Sequence, residues 1–413
     1  MTQPSILILS TYPSKKPRHG GQLRVENIKK TYQENGFNVA SLVFYEAESY
    51  DATQVDIWDI PFFSDSHYRL YKNEFVPLIT DLLTGNFAAS DEVFELFLSR
   101  IPKQLDFVEL EQAWLYPLVS RLKKLPQYKY TKIINSSQNI EYQLKSDIFS
   151  SYNIKNKNVI NDILELEKQV ALNADINVGV TDFDCHVLKG WGAKNVILAK
   201  NGISPWNALP EKIKYWQKKL PKEPFILYVA SAHPPNFVEF VDFIGGSLAC
   251  IPPDSKLVVA GGVSEHIYRE LANSRWGAIN LSRLELLFIL EDEDLNAVKE
   301  LASVFLLPIP MGGGSNIKTA EALYSGKWVI SSTHALRGFE NFKGEERLKI
   351  CHNPKELHET IRKILSANTL PKLTESSEKL RQTLTWQYSL QPMADIALER
   401  YENKNTYNSL NKL

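Results

Sequence analysis

Two doubly wound α/β domains facing across a cleft are the fold class this sequence predicts, and three observations predict it. Short apolar runs of strand length alternate with stretches of helical periodicity along most of the chain, the pattern of parallel sheets covered by helices. The alternation pauses over residues 203–224, a segment rich in proline and lysine that holds Trp206 and Trp216, and then restarts. The 413 residues suffice for two such units, since domains commonly hold roughly 150–200 residues each.

The elements follow in order. Ser5–Ser10 (SILILS) reads as a buried strand, and residues 11–21 (TYPSKKPRHGG) as a loop of proline, glycine and basic residues. Residues 22–35 place Leu23, Ile28 and Tyr32 at near-helical spacing, Gly36 supplies the C-cap, and residues 38–44 form the next strand. That is a βαβ unit, whose parallel pairing is right-handed. Residues 45–130 are assigned to helices and loops, with helical stretches at 74–83 and at Asp91–Arg100. Residues 132–135 are a strand. An amphipathic helix over 158–173 turns Ile160, Ile163, Leu164, Leu166, Val170 and Ala171 inward. A strand at 175–180, a short helix at 182–189 and a strand at 195–199 complete the first half, which ends at the Asn201-Gly202 turn.

The second half opens with a strand at 225–230, a helix at 236–249 and the strand Lys256–Ala260. Helix Asp292–Leu301, a strand at 303–307, a helix at 315–325 and a strand at 328–331 follow. A last helical stretch at 393–401 comes after Trp386. The expected division is therefore residues 1–202 as an N-terminal Rossmann-like domain, 203–224 as the link, 225–385 as a C-terminal Rossmann-like domain, and 386–413 as a final helix and tail. Ligand is expected at the carboxyl ends of the strands.

Composition narrows the function. Forty-seven basic residues balance 48 acidic ones, so nothing draws the whole molecule to nucleic acid. Cys185, Cys250 and Cys351 lie far apart without a C-x-x-C, which excludes a disulfide scaffold and a structural zinc site as leading readings. The start of the chain lacks a basic n-region, and no stretch reaches the roughly 18–20 apolar residues of a spanning helix. A cytoplasmic protein is expected, with peripheral contact at the inner membrane face left open.

The segment 306–332, LLPIPMGGGSNIKTAEALYSGKWVISS, carries the chemistry. A strand runs into three glycines, Gly312, Gly313 and Gly314, and a helix begins near Ser315. Glycines admit a ligand close to the backbone, and the unpaired N–H groups and dipole of a helix start attract phosphate. Lys318 adds a point charge, and Glu321, one turn on, can accept from ribose hydroxyls. A tight turn followed by an ordinary i,i+3 surface pair explains the same residues about as well. A P-loop does not fit, because Ile317 stands where its glycine must be, and residues 10–21 lack a dinucleotide fingerprint.

With these residues in place, the stretch GGGSNIKTAEALYSGKWVIS resembles the nucleotide-sugar segment of GT-B glycosyltransferases of the retaining, glycogen-synthase-like (glycosyltransferase family 4-like) superfamily. Other pieces agree in the family's order: residues 10–21 with Arg24 as its glycine loop, Glu167 with ALNADINVGVTDFD, AKNGI, YVASAHPPN, and Trp386 before the family's helix crossing back to the N-terminal domain. The resemblance covers most of residues 1–50 and 132–400. It implies a nucleotide-diphosphate sugar bound mainly by the C-terminal, donor-side domain, with the N-terminal domain on the acceptor side.

Carried over position by position, the resemblance makes Glu321 the second glutamate of an E-x7-E motif, whose first position is Gly313 here. Gln138, in Ser137–Glu141, takes the place of the family's histidine. A basic pair usual after the first donor-domain strand is missing, and His233 stands near it. Lys318, Glu321 and Arg24 are the implied catalytic residues. Gly312, Gly313, Gly314, Ser315, Asn316, Gly20, Gly21 and His233 join Lys318 and Glu321 around the donor, and His19, Gln138 and Glu141 stand on the acceptor side.

Transfer builds negative charge on the leaving diphosphate, which fixed dipoles and a cation can stabilise without metal or other cofactor. Two D-x-D runs, at Asp182 and Asp292, fall at helix starts and read as caps. Retention follows from the resemblance; inversion would require a base such as His19, Glu141 or Asp106. The acceptor is expected to be a glycan, lipid-linked or protein group. The alternatives are a sugar-nucleotide 2-epimerase on the same fold and a non-catalytic partner subunit of another transferase. Oligomeric state stays open.

Overall fold

The computed structural model describes residues 3–232, 234–309, 315–367 and 369–410. The chain divides into two compact units, one comprising Met1–Asn201, Gly313–Ser315 and Trp386–Leu413, the other Gly202–Gly312 and Asn316–Thr385.

The first unit is built on a seven-stranded sheet of β1 (Ser5–Ser10), β2 (Asn38–Glu46), β3 (Ile60–Phe62), β4 (Phe107–Glu111), β5 (Lys132–Ser136), β6 (Ile176–Gly179) and β7 (Val196–Leu198). Its order is β3-β2-β1-β4-β5-β6-β7, and every pair is parallel. The apolar run Ile6–Leu9 makes β1 a strand covered on both faces, as an inner parallel strand must be. The helix Gly20–Glu34 returns the chain to β2, and Gly36 ends it in the left-handed conformation, φ 82°.

The second unit has a six-stranded sheet of β8 (Phe225–Val229), β9 (Lys256–Ala260), β10 (Leu284–Phe288), β11 (Val304–Leu307), β12 (Trp328–Ser332) and β13 (Leu348–Cys351). The order is β10-β9-β8-β11-β12-β13, again parallel throughout. Period-two alternation splits its strands between two cores. Leu227, Val258, Phe305 and Leu307 face one side, and Ile226, Leu257, Val304 and Leu306 the other.

Each sheet winds outward from its first strand, then reverses. The reversal places a topological switch point between β1 and β4 in one unit and between β8 and β11 in the other. Open α/β sheets bind ligands outside the carboxyl ends of the strands at that point.

The structure changes several expected elements. Residues 45–130 contain two strands, β3 and β4, and β4 is the neighbour of β1 at the switch point. The link expected over 203–224 contains the helix Pro210–Lys219, which starts on a proline and buries Trp216. Proline at the first helical position loses no intrahelical bond, so it opens this helix rather than breaking it. The helix expected over 74–83 lies at Thr80–Ala88. In the helix Lys157–Asn173, Ile163, Val170 and Ala171 are buried as expected, but so is Glu167. The final helix, Trp386–Leu410, belongs to the first unit, where Gln391 bonds Asn35 (2.9 Å) and the Arg400 carbonyl accepts from Lys132 (2.7 Å). Among the described residues no helix is long and apolar enough to cross a membrane.

Candidate functional site

In the second unit the chain leaves β11, passes the glycine-rich segment and enters the helix Ile317–Tyr324. Gly312, Gly313 and Gly314 lie outside the described residues, as does His233. Ser315 is buried just before the helix. Asn316 is the N-cap, its Oδ1 accepting the Lys318 N–H at 2.9 Å, so one of the helix's orphan donors is already satisfied. The Lys318 ammonium donates to Asn236 Oδ1 at 3.1 Å. Asn236 is itself fixed after β8: its Nδ2 donates to the Ser231 carbonyl (3.0 Å) and its own carbonyl accepts from the Tyr228 hydroxyl (2.6 Å).

One turn beyond Lys318, Glu321 Oε1 accepts from Lys299 Nζ at 2.7 Å. Lys318 and Glu321 line one hollow together with Tyr228, Val229, Leu307 and Ile309, at the carboxyl ends of β8 and β11. Thr319 and Ala320, on the opposite face of the helix, are fully buried and hold it to the core. A cation and a carboxylate are thereby presented from a rigid element at the switch point.

The first unit treats its switch point differently. The helix Gly20–Glu34 starts at His19 without a side-chain cap and without an acidic residue in its first turn. Its leading N–H groups keep their partial positive charge. A Cβ at Gly21 would come 2.7 Å from Tyr12 Oη and 2.8 Å from Gln138 Oε1, so these side chains must shift to admit one. The His19 ring stands edge-on to Tyr12, centroids 5.1 Å apart. Burial holds His19 below the usual imidazole range, against the pull of Asp81.

Arg24, expected at a diphosphate, has no exposed surface. Its Nη1 donates to Asn201 Oδ1 (3.2 Å) and the Lys200 carbonyl (3.3 Å), while Nε and Nη2 have no hydrogen-bond partner among the described residues. Burial lowers its pKa, and the nearby charges of Glu111 and Glu109 oppose that shift. Both glutamates sit on β4 and are fully buried. Tyr32 donates to Glu109 Oε2 at 2.6 Å, and Gln138 donates to Glu111 Oε2 at 2.9 Å. Burial first, then the charge of Glu111, push Glu109 well above the usual carboxylate range; burial also raises Glu111, which Arg24 pulls back. In this structure Arg24 serves a buried cluster, not a surface that a ligand reaches.

The remaining acid candidates are structural. Glu141 is buried and its Oε1 accepts from Gln112 Nε2 and Asn139 Nδ2, each at 3.1 Å. Glu167 caps the helix that Glu141 begins, taking the N–H groups of Glu141 (2.7 Å) and Tyr142 (2.8 Å), while burial pushes it up to about 8. Asp106 lies at the opposite, amino end of the sheet and binds the N–H and hydroxyl of Ser5, each at 3.0 Å. Asp182 and Asp184 fall in a helix's first turn, and Asp294 is taken by Lys212 and Trp216, each at 2.9 Å, so both D-x-D runs are helix starts. Lys299, Asn236 and the β4 glutamates are the contributors that sequence reasoning missed. The contacts that bring them to the site span the chain, Lys299 to Glu321 across 22 residues, Asn236 to Lys318 across 82 and Glu109 to Tyr32 across 77, and no local spacing announces them.

No protein-family model and no curated protein matches the sequence. Solved structures do. Sucrose-phosphate synthase from Thermosynechococcus elongatus is 16% identical, with a TM-score of 0.71 over 97% of this chain and 100% of that one. Anabaena HepE in complex with UDP is 13% identical, with a TM-score of 0.60 over 99% and 100%. A candidate UDP-N-acetylglucosamine 2-epimerase from Listeria monocytogenes is 13% identical, with a TM-score of 0.57 over 97% and 98%. At such identities it is the architecture that is shared, and the two parallel, doubly wound sheets of this chain are those of the GT-B fold.

Proposed function

We propose that the chain is a glycosyltransferase that moves a sugar from a nucleotide-diphosphate sugar to a glycan, lipid-linked or protein acceptor, with retention and without a metal. The observation that carries this reading is the pair Lys318 and Glu321, one turn apart on a helix that follows a glycine-rich stretch of sequence, lining a hollow at a switch point. The fold supports it, since one similar structure is a sucrose-phosphate synthase and another holds UDP.

In this reading Gly312–Ser315 and the helix start take the diphosphate, Lys318 supplies the cation, Asn316 meets a phosphate or sugar hydroxyl, and Glu321 takes the ribose. Gly20 and Gly21 contribute bare N–H groups, and His19 and Gln138 serve the acceptor. As the glycosidic bond to phosphate lengthens, charge grows on the diphosphate, where a fixed cation and dipoles lower the barrier. The leaving phosphate then takes the acceptor's proton, so retention needs no separate base. Epimerisation is the second reading, because a similar fold carries that description. An epimerase turns over donor without acceptor, and product analysis separates the two.

Calorimetric titration with UDP, GDP, dTDP, ADP and CMP in EDTA tests the proposal. Micromolar binding of one diphosphate is expected, and Glu321→Ala is expected to weaken it about tenfold, the cost of one hydrogen bond to a charged group. An unchanged dissociation constant in a folded variant removes Glu321 from the site.

A further inference from the structure

Lys299 is a buried cation that the reading above leaves unused. It lies on the helix Asp292–Leu301 and is only 5% exposed. Its ammonium sits 2.7 Å from Glu321 Oε1 and 5.4 Å from the centroid of the Trp206 ring. Trp206 in turn meets Tyr324 edge-on, centroids 5.9 Å apart. Lysine is seldom buried unless paired. Here the carboxylate pairs with it and the aromatic face adds a cation–π contact.

Glu321 differs from its partner in exposure. Its side chain is 27% exposed and lines the hollow. A free glutamate carboxylate rotates about a broad terminal torsion, so it presents its oxygens in many directions. The Lys299 bond removes that freedom before any ligand arrives, and the side-chain entropy is not lost again on binding.

We propose that Lys299 is a positioning residue for Glu321, fixing its carboxylate so that it meets the adjacent 2′ and 3′ hydroxyls of a ribose. The hollow then selects ribonucleotides over their deoxy counterparts. This rests on the proposal that the hollow takes a nucleotide diphosphate.

The test is calorimetry on the full chain with UDP and with 2′,3′-dideoxy-UDP. The wild type is expected to prefer UDP. Lys299→Met is expected to weaken UDP about tenfold while leaving 2′,3′-dideoxy-UDP within about twofold, so the preference collapses. An equal loss for both nucleotides would make Lys299 a support of the fold alone, and no change in either would remove it altogether; both outcomes overturn the inference. Should Lys299→Met fail to fold, Lys299→Gln, which keeps a neutral donor, carries the same comparison. Wild-type protein that binds both nucleotides equally overturns the inference while nucleotide binding stands. Wild-type protein that binds neither overturns this inference, and the functional reading falls with it only where GDP, dTDP, ADP and CMP fail to bind as well.

Discussion

At the carboxyl ends of β1 and β4 the first unit fills its crevice with its own charges; at those of β8 and β11 the second lines a hollow with them. The two sheets reverse in the same way, yet Arg24, Glu109 and Glu111 are wholly buried while Lys318 and Glu321 reach a hollow. The helix starts differ in the opposite sense. The helix after β1 has no side-chain cap, and the helix after β11 has Asn316. Topology therefore fixes where a ligand can be received, and side-chain placement decides what each crevice does. Charge in the first unit is enclosed in its own packing, and charge in the second lines a hollow.

The largest break in that contrast is expected from Glu111→Ala. Arg24 would keep its charge, since a guanidinium does not deprotonate in proteins, and would lose the carboxylate that most offsets its burial. Removing one partner of a buried charge cluster costs roughly 3 kcal/mol or more. Urea denaturation should show a clear drop in midpoint, with binding of nucleotide by the folded fraction unchanged. A midpoint within experimental error of wild type would mean that Arg24 is compensated elsewhere.

A middle-sized effect is expected from Gly21→Ala. The new methyl meets Tyr12 Oη and Gln138 Oε1 well inside contact distance, and both side chains are themselves buried. Overpacking of this kind costs about 1–3 kcal/mol. The same substitution at Gly36 puts a side chain where φ is 82° but no described residue lies within 4 Å, so its cost is backbone strain alone. Thermal melts of the two variants separate crowding from strain, and equal losses would mean that Tyr12 and Gln138 move aside freely.

Legibility in the sequence follows the same division. β1 and its helix could be read because an unbroken apolar run and near-helical spacing are local signals. So could Lys318 and Glu321, three residues apart on one helix face. β4 could not, since Glu109 and Glu111 interrupt FVELE with charge, and their burial depends on Tyr32, Gln138 and Arg24 from other elements. Arg24 follows a glycine loop and so suggests a ligand contact; only the packed structure shows it covered. Lys299 is 22 residues from Glu321, beyond any spacing rule.

The smallest effect, and the sharpest on the buried cluster, is expected from Glu109→Gln. Burial and the charge of Glu111 raise the Glu109 pKa far above the unfolded value of about 4.3. The folded state therefore keeps a proton that the unfolded state has lost, and the stability this proton contributes is complete below about pH 4.3 and falls as pH rises toward the folded pKa. A glutamine mimics the neutral acid, and its carbonyl can still accept from Tyr32. At pH 5 the variant should lie within about 1 kcal/mol of wild type, a typical value for a neutral hydrogen bond. As pH rises the wild type should lose stability against the variant, so the difference in urea midpoint grows in the variant's favour from pH 5 to pH 9. A loss as large as that of Glu111→Ala at every pH would instead make Glu109 the ionised partner of Arg24, and the two glutamates would exchange roles.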